Sequence, residues 1–185
     1  FFALFLLIFS FYLINPISVS SLILLLSIGL ICVFYITPVF GKSLRQLPFL
    51  KSLVIAWCWT LALIAFPFSN EHVEWLGFNT ELIVFPCYFF ALTIPFDIQD
   101  VDRDPPFLRT LPQVIGIKKS KVVAISLLFV FGLCDTFKHS FGFFYIALLI
   151  TAILITFSKK TNSELYFALI DFSIALLGLG YLYDR

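Results

Sequence analysis

Apolar residues run along the chain in seven long segments, and short charged or proline-rich breaks separate them. The segments are Phe1–Ile14, Val19–Ile36, Ser52–Phe68, Glu81–Phe96, Val122–Phe137, Gly142–Phe157 and Leu165–Tyr183. Several fall short of the roughly 20 residues that a straight transmembrane helix needs, but local thinning of the bilayer accommodates shorter spans. The pattern predicts an all-α fold, a polytopic membrane bundle of about seven transmembrane helices that forms a single domain over residues 1–185.

The composition excludes a water-soluble globular domain. Hydrophobic residues make up 61% of the chain, the mean hydropathy is +1.05, and 25 residues are Phe. A soluble domain of 185 residues has too little interior to hide that much apolar surface. The net charge is only +1 and the basic residues form no stripe, so we expect no nucleic-acid partner. We expect an integral, multi-pass protein of the inner or plasma membrane.

Basic residues are distributed unevenly between the two sides of the predicted bundle. If the segments alternate in direction, ten of the twelve Lys and Arg residues fall on one side. These ten are Lys42, Arg45, Lys51, Arg103, Arg109, Lys118, Lys119, Lys121, Lys159 and Lys160. Cytoplasmic loops carry an excess of Lys and Arg. The loop that begins at Asp97 is therefore predicted to be cytoplasmic.

The stretch DIQDVDRD, residues 97–104, places four carboxylates next to an apolar segment. Burying one Asp at the bilayer centre costs about 2.5–3.5 kcal/mol, so these acids are expected at the interface or in a wet cavity. If the preceding helix continues, Asp97, Asp100 and Asp104 follow i, i+3, i+7 and share one face. Asp102 would then point away from them. Three like charges repel unless a cation lies between them, and oxygen-only ligands favour a hard ion such as Mg²⁺.

Two acidic motifs of other protein families do not fit this stretch. An EF-hand loop beginning at Asp100 would have Pro105 where Gly is required and Leu111 where Glu is required. A CDP-alcohol phosphotransferase needs Asp-Gly and Ala-Arg pairs between its acids, and neither pair occurs here. A solvated charged loop that ends a helix is the simpler alternative to a metal site, and the residues alone leave both open.

The longer stretch DIQDVDRDPPFLRTLPQVIGIKKSK, residues 97–121, resembles the second aspartate motif of the UbiA-type intramembrane prenyltransferases. That motif is DxxDxxxD, followed by Thr-Leu-Pro and by a Gly with basic residues just after it. Members of the family have nine transmembrane helices, with this motif between the sixth and the seventh. Four apolar segments precede the acidic loop here and three follow it, so the chain resembles helices three to nine.

The resemblance implies Mg²⁺-dependent transfer of a prenyl group from an isoprenyl diphosphate to a lipophilic or aromatic acceptor within the membrane. It implies that Asp97, Asp100 and Asp104 bind the metal. It also implies diphosphate-binding roles for basic residues on the same side, namely Lys42, Arg45, Arg109, Lys118 and Lys119. The family's first aspartate motif is missing. We therefore expect an N-terminally truncated chain, inactive alone and active as the C-terminal part of a longer enzyme.

Two other functions are compatible with the sequence. A catalytically degenerate relative would keep the fold and act as a membrane scaffold or lipid-binding protein. A cation-coupled transporter would use the acidic loop together with Asp171, an acid in the middle of the last apolar segment. Because Asp171 stands alone, we expect it instead to hydrogen-bond to a Ser, Thr or Tyr of a neighbouring helix.

Overall fold

A computed structural model of the chain describes residues 18–38, 41, 43–47, 50–66, 75–135, 142–161 and 163–183. Within these ranges the chain forms helices joined by turns, and it forms no β-strands. The predicted all-α class is therefore confirmed for the part of the chain that the structure describes.

The residues that the structure describes form seven α-helices, numbered in chain order. They are α1 (Val19–Ile36), α2 (Leu50–Thr60), α3 (Trp75–Gln99), α4 (Leu111–Ile115), α5 (Ile117–Asp135), α6 (Phe143–Phe157) and α7 (Glu164–Tyr183). A π-helical turn, Leu61–Ala65, follows α2 directly, and two 3-10 turns, Leu44–Gln46 and Pro106–Leu108, lie in the connections. All but the short α4 overlap predicted apolar segments, and α1 has the predicted bounds. The first predicted segment, Phe1–Ile14, lies outside the described residues.

Two helical stretches, Val19–Ile36 and Glu81–Gln99, are long and apolar enough to cross a membrane. Two further apolar helices, Leu50–Ala65 and Phe143–Phe157, are shorter. Length and composition thus agree with a membrane protein. The total of seven spans, the kind of membrane and the side of the acidic loop stay predictions.

Residues that flank α1 set its two ends. The hydroxyl of Ser18 accepts a hydrogen bond from the backbone N–H of Ser21 at 3.1 Å, which satisfies one of the free donors of the first turn. At the other end, Pro38 disfavours helical backbone in Thr37, which is extended with φ −83° and ψ 132°. The helix therefore stops just before the basic connection that carries Arg45.

The helix α3 lies at the centre of the bundle and contacts α2, α5, α6 and α7. Phe85 and Tyr88 of α3 pack against Phe131 of α5, with 5.1 Å between the ring centroids of each pair. Phe131 also contacts Phe144 of α6. The Tyr88 hydroxyl donates to the backbone oxygen of Ser173 in α7 at 3.2 Å. Since an unpaired buried hydroxyl is costly, this hydrogen bond favours one position of α3 against α7.

The outward faces of the helices are apolar. Val19, Ile83, Phe129 and Leu165 are between 66% and 75% exposed, and α1 is exposed over most of its length. Water disfavours so much apolar surface, whereas lipid or further apolar helices would cover it at no such cost. The fold therefore has a conventional packed interior and an exterior suited to a bilayer.

Candidate functional site

The acidic loop, residues 97–104, begins within the last turn of α3, which ends at Gln99. The backbone N–H groups of Arg103 and Asp104 both donate to the carbonyl oxygen of Asp100, at 2.9 and 2.7 Å, and so form a tight turn. Pro105 follows, and a proline disfavours helical backbone in the residue before it. The regular helix assumed for the i, i+3, i+7 spacing ends at Gln99. The hydrogen bond from the Asp104 N–H group to the Asp100 oxygen keeps the i to i+4 spacing of one more helical turn, which leaves Asp104 close to Asp97 and Asp100.

Three carboxylates meet at the ammonium group of Lys51, in the first turn of α2. The Lys51 Nζ atom lies 2.5 Å from Oδ2 of Asp104. It lies 3.3 Å from Oδ1 of Asp97 and 3.5 Å from Oδ2 of Asp100. Lys51, Asp97 and Asp104 are buried, whereas 33% of the Asp100 side chain is exposed. The cluster is therefore closed on most sides and open on the side of Asp100.

Ser52 binds the second oxygen of the Asp97 carboxylate. Its hydroxyl donates to Oδ2 of Asp97, while Lys51 faces Oδ1. A carboxylate can be buried only when it is paired and hydrogen-bonded. The adjacent residues Lys51 and Ser52 of α2 therefore make the burial of Asp97 at the end of α3 possible.

Gln113 of α4 holds the acidic loop from the other side. Its Nε2 atom donates to the backbone oxygens of Asp104, at 2.9 Å, and Val101, at 3.4 Å. Its Oε1 atom accepts from the backbone N–H of Thr110 at 3.1 Å, which caps the start of α4. Gly116, whose positive φ of 83° favours glycine, ends this one-turn helix. The segment TLPQVIG carries no charged residue. It positions the acids through hydrogen bonds to their backbone.

The hydroxyl oxygen of Thr110 is buried and has no hydrogen-bond partner among the described residues. A buried polar atom without a partner costs about 1–3 kcal/mol. A bound water or a phosphate oxygen would recover that free energy, so Thr110 is a polar group with unused hydrogen-bonding capacity beside the acidic loop.

Asp102 points away from the other three acids, as its place in the sequence predicts. It is exposed and pairs with Lys160, whose Nζ lies 2.7 Å from both carboxylate oxygens. Lys121 donates to the carbonyl oxygens of Thr156 and Ser158 at the end of α6. These contacts bring the acidic loop, the start of α5 and the residues after α6 to one end of the bundle. Lys121 and Lys160 therefore lie at the same end of the bundle as the acidic loop, and the grouping of all ten basic residues there stays a prediction.

None of the predicted diphosphate-binding side chains that the structure describes forms an ion pair with an acid of the cluster. Arg45, Arg109, Lys118 and Lys119 are exposed, and none of their side chains makes a hydrogen bond or ion pair with another described residue. Lys42 lies outside the described residues. The 3-10 turns Leu44–Gln46 and Pro106–Leu108 touch each other, so Arg45 and Arg109 belong to neighbouring connections. Arg109 has left-handed backbone, with φ 47°, an uncommon conformation for a residue other than Gly.

In the sequence, neither Lys51 nor Tyr35 was connected with the three acids. Lys51 counted there only as one of ten basic residues on the predicted cytoplasmic side. Tyr35, at the end of α1, is buried and lies within electrostatic range of Lys51, Asp97 and Asp104. The available signal was the polar pair Lys51-Ser52 at the start of an apolar segment, since such a pair needs polar partners once the segment is packed.

The donor chemistry of the cluster fits a hard divalent cation, but its present arrangement fits an ammonium group. Three carboxylates and one ammonium leave a formal charge of −2. Mg²⁺ prefers oxygen ligands at about 2.0–2.1 Å, which is shorter than the distances to Lys51 Nζ. Among the described residues, no three His, Cys, Asp or Glu side chains stand ready as a metal site. A divalent cation would have to take the place of Lys51.

Asp171 lies on an exposed face of α7, beside the exposed Leu169 and Phe172. It makes no hydrogen bond to any side chain that the structure describes, so the expected interhelical partner is not found there. Nothing in this placement connects Asp171 with the acidic cluster.

No protein-family model, no curated protein and no solved structure matches this chain. The comparisons therefore neither support nor exclude the family resemblance of residues 97–121.

Proposed function

We propose that this chain supplies the second aspartate motif of a UbiA-type intramembrane prenyltransferase. In this proposal the chain is embedded in a bilayer with the acidic end on the cytoplasmic side. Its partners are an isoprenyl diphosphate and a lipophilic or aromatic acceptor. The observation that carries the proposal is the convergence of Asp97, Asp100 and Asp104 on one cation position, at one end of a bundle with an apolar exterior.

The three carboxylates would hold Mg²⁺. When bound, Mg²⁺ would neutralise the charge that grows on the departing diphosphate. The chain's own contribution is to hold the acids in place: Ser52 orients Asp97, and Gln113 holds the backbone of Asp104.

Basic side chains at the same end would bind the phosphate oxygens. Arg45, Arg109, Lys118 and Lys119 are exposed and make no ion pair within the described residues, so no internal partner has to be given up for a phosphate. Arginine adds two-pronged binding of phosphate oxygens, and lysine adds a compact charge. Lys42 is proposed for the same task from the resemblance alone.

The direct test is diphosphate release by the full-length protein with a panel of isoprenyl diphosphates, with and without Mg²⁺. Asp100→Ala and Asp104→Ala are expected to abolish release, and excess Mg²⁺ should not restore it. Asp102→Ala is the matched control, because Asp102 belongs to the same loop but pairs outward with Lys160. Wild-type turnover in Asp100→Ala and Asp104→Ala would remove the carboxylates from the reaction.

A second candidate is a catalytically degenerate relative that serves as a membrane scaffold or lipid-binding protein. The observation in its favour is that Lys51 already fills the centre of the acidic cluster, as a purely structural ion pair would. The two candidates differ in ligand binding. The scaffold would be destabilised by Asp104→Asn but would bind neither Mg²⁺ nor inorganic diphosphate in any variant.

A further inference from the structure

The Lys51 ammonium group occupies the point at which the three acids meet. Its Nζ atom is within 3.5 Å of Asp97, Asp100 and Asp104. An ammonium group has three N–H donors, which equals the number of carboxylates around it. An arginine in this place would bind one or two acids through a fixed fork, whereas lysine is a compact charge on a flexible stem.

The acids do not depend on Lys51 alone for their positions. Ser52 holds Oδ2 of Asp97. Gln113 holds the backbone oxygen of Asp104, and the turn hydrogen bonds tie the backbone of Asp104 to that of Asp100. If the Lys51 side chain swings away, these contacts still keep the three carboxylates together. The three carboxylates can therefore stay close together after the Lys51 ammonium group has left.

The charges favour an exchange of cations. Lys51 compensates one of three negative charges, and the remaining charge of −2 is costly in a mostly buried cluster. A divalent cation would compensate two charges, but it must reach the position that the tethered ammonium group occupies. The partly exposed Asp100 marks the open side from which such an ion can enter.

We propose that Lys51 is an exchangeable internal cation that holds the three acids together when no divalent cation is bound and leaves when one binds. The freed ammonium group then joins the basic side chains that are available to a diphosphate. Lys51 is thus a positioning residue of the metal site. The inference takes its metal from the proposed function, but it concerns binding alone and needs no isoprenyl substrate.

The test is Mn²⁺ binding to the purified full chain, measured by the loss of the electron paramagnetic resonance signal of free Mn²⁺. Wild type is expected to bind Mn²⁺ weakly, because the ion competes with Lys51. Lys51→Gln should bind it about tenfold more tightly or better, since a competing positive charge is gone. Lys51→Gln retains a hydrogen-bond donor for the carboxylates, and Lys51→Met serves as the apolar counterpart.

Two control variants separate exchange from a general change of charge. Lys159→Gln removes one exposed basic residue at the same end of the bundle and should stay within about twofold of wild type, because screened surface charges contribute little. In the double variant Lys51→Gln/Asp104→Asn, the gain in affinity should disappear. Equal Mn²⁺ affinity in wild type, Lys51→Gln and Lys159→Gln would overturn the inference.

A second measurement needs no variant and covers the case in which Lys51→Gln does not fold. Reductive methylation of wild-type lysines, read by mass spectrometry, should spare the buried Lys51 and modify the exposed Lys159. Adding Mg²⁺ without diphosphate should expose Lys51 to the reagent and leave Lys159 unchanged. Unchanged protection of Lys51 would overturn the exchange.

The outcomes for the two proposals are distinguishable. Tighter Mn²⁺ binding by Lys51→Gln together with no diphosphate release by the full-length protein would refute the proposed function and keep the exchange. Diphosphate release that depends on Asp104, with Lys51 protected throughout, would keep the proposed function and refute the exchange.

Discussion

The side-chain Nε2 atom of Gln113 donates a hydrogen bond to the backbone oxygen of Asp104, 2.9 Å away. This contact joins the one-turn helix α4 to the acid that lies nearest to Lys51. The uncharged Thr-Leu-Pro-Gln segment that follows the acids therefore has a structural role, because it fixes the backbone of the acidic loop.

Gln113→Ala is expected to loosen the acidic loop. The substitution removes a hydrogen-bond donor to Asp104 and an acceptor for the Thr110 N–H, at a cost of about 1–2 kcal/mol in unfolding free energy. Hydrogen exchange of residues 100–110 should rise. Gln46→Ala is the matched control, because Gln46 makes one local hydrogen bond to the backbone of Ser43. Equal effects of the two substitutions would contradict this role of Gln113.

Ser52→Ala is expected to destabilise the protein by about 1.5–3 kcal/mol, because a hydrogen bond to a buried carboxylate is lost. Ser120→Ala is the control, since within the described residues the buried Ser120 hydroxyl bonds only the carbonyl oxygen of Gly116, at the start of its own helix. Thermal unfolding in detergent measures both. A Ser52→Ala protein as stable as the Ser120→Ala protein would speak against the contact between α2 and Asp97.

Breaking the Asp102–Lys160 pair should change stability by less than about 1 kcal/mol, since both side chains are substantially exposed. Lys160→Met is therefore expected to unfold at nearly the same temperature as wild type, and the small difference should vanish at high salt. A large loss of stability would mean that this pair, rather than the Lys51 cluster, anchors the acidic loop.

Phe131→Ala should cost about 3–5 kcal/mol, because the ring is fully buried among Phe85, Tyr88 and Phe144 and its removal leaves a cavity. Phe129→Ala, two residues away on the same helix and 66% exposed, should have little effect. Chemical unfolding in detergent micelles compares the two variants. The reverse order would mean that α5 presents its other face to the bundle.

Local signals in the sequence predict the helices well. The segment Val19–Ile36 was predicted from its apolar run and forms a helix with those same ends, because a Ser before the run and a Thr-Pro pair after it act within a few residues. The end of α3 was predicted less well. Its apolar period continues toward the acids, but Pro105 and the turn at Asp100 interrupt the helix.

The cluster itself could be predicted only in part. The spacing of Asp97, Asp100 and Asp104 indicated that they act together, but it suggested a helical face and an external ion. Lys51 and Ser52 precede Asp97 by more than 40 positions, and nothing local marks them as its partners.

The sequence by itself determined the all-α class of this protein, most of its helices and the concentration of acids at one end of one helix. Each of these depends on hydropathy, capping and turn residues that act over a few positions. Only the tertiary structure decided that the acids surround Lys51, because that contact depends on how α2 packs against α3 and on the turn that Gln113 holds. Contacts between distant residues follow from packing, and packing is a property of the whole bundle.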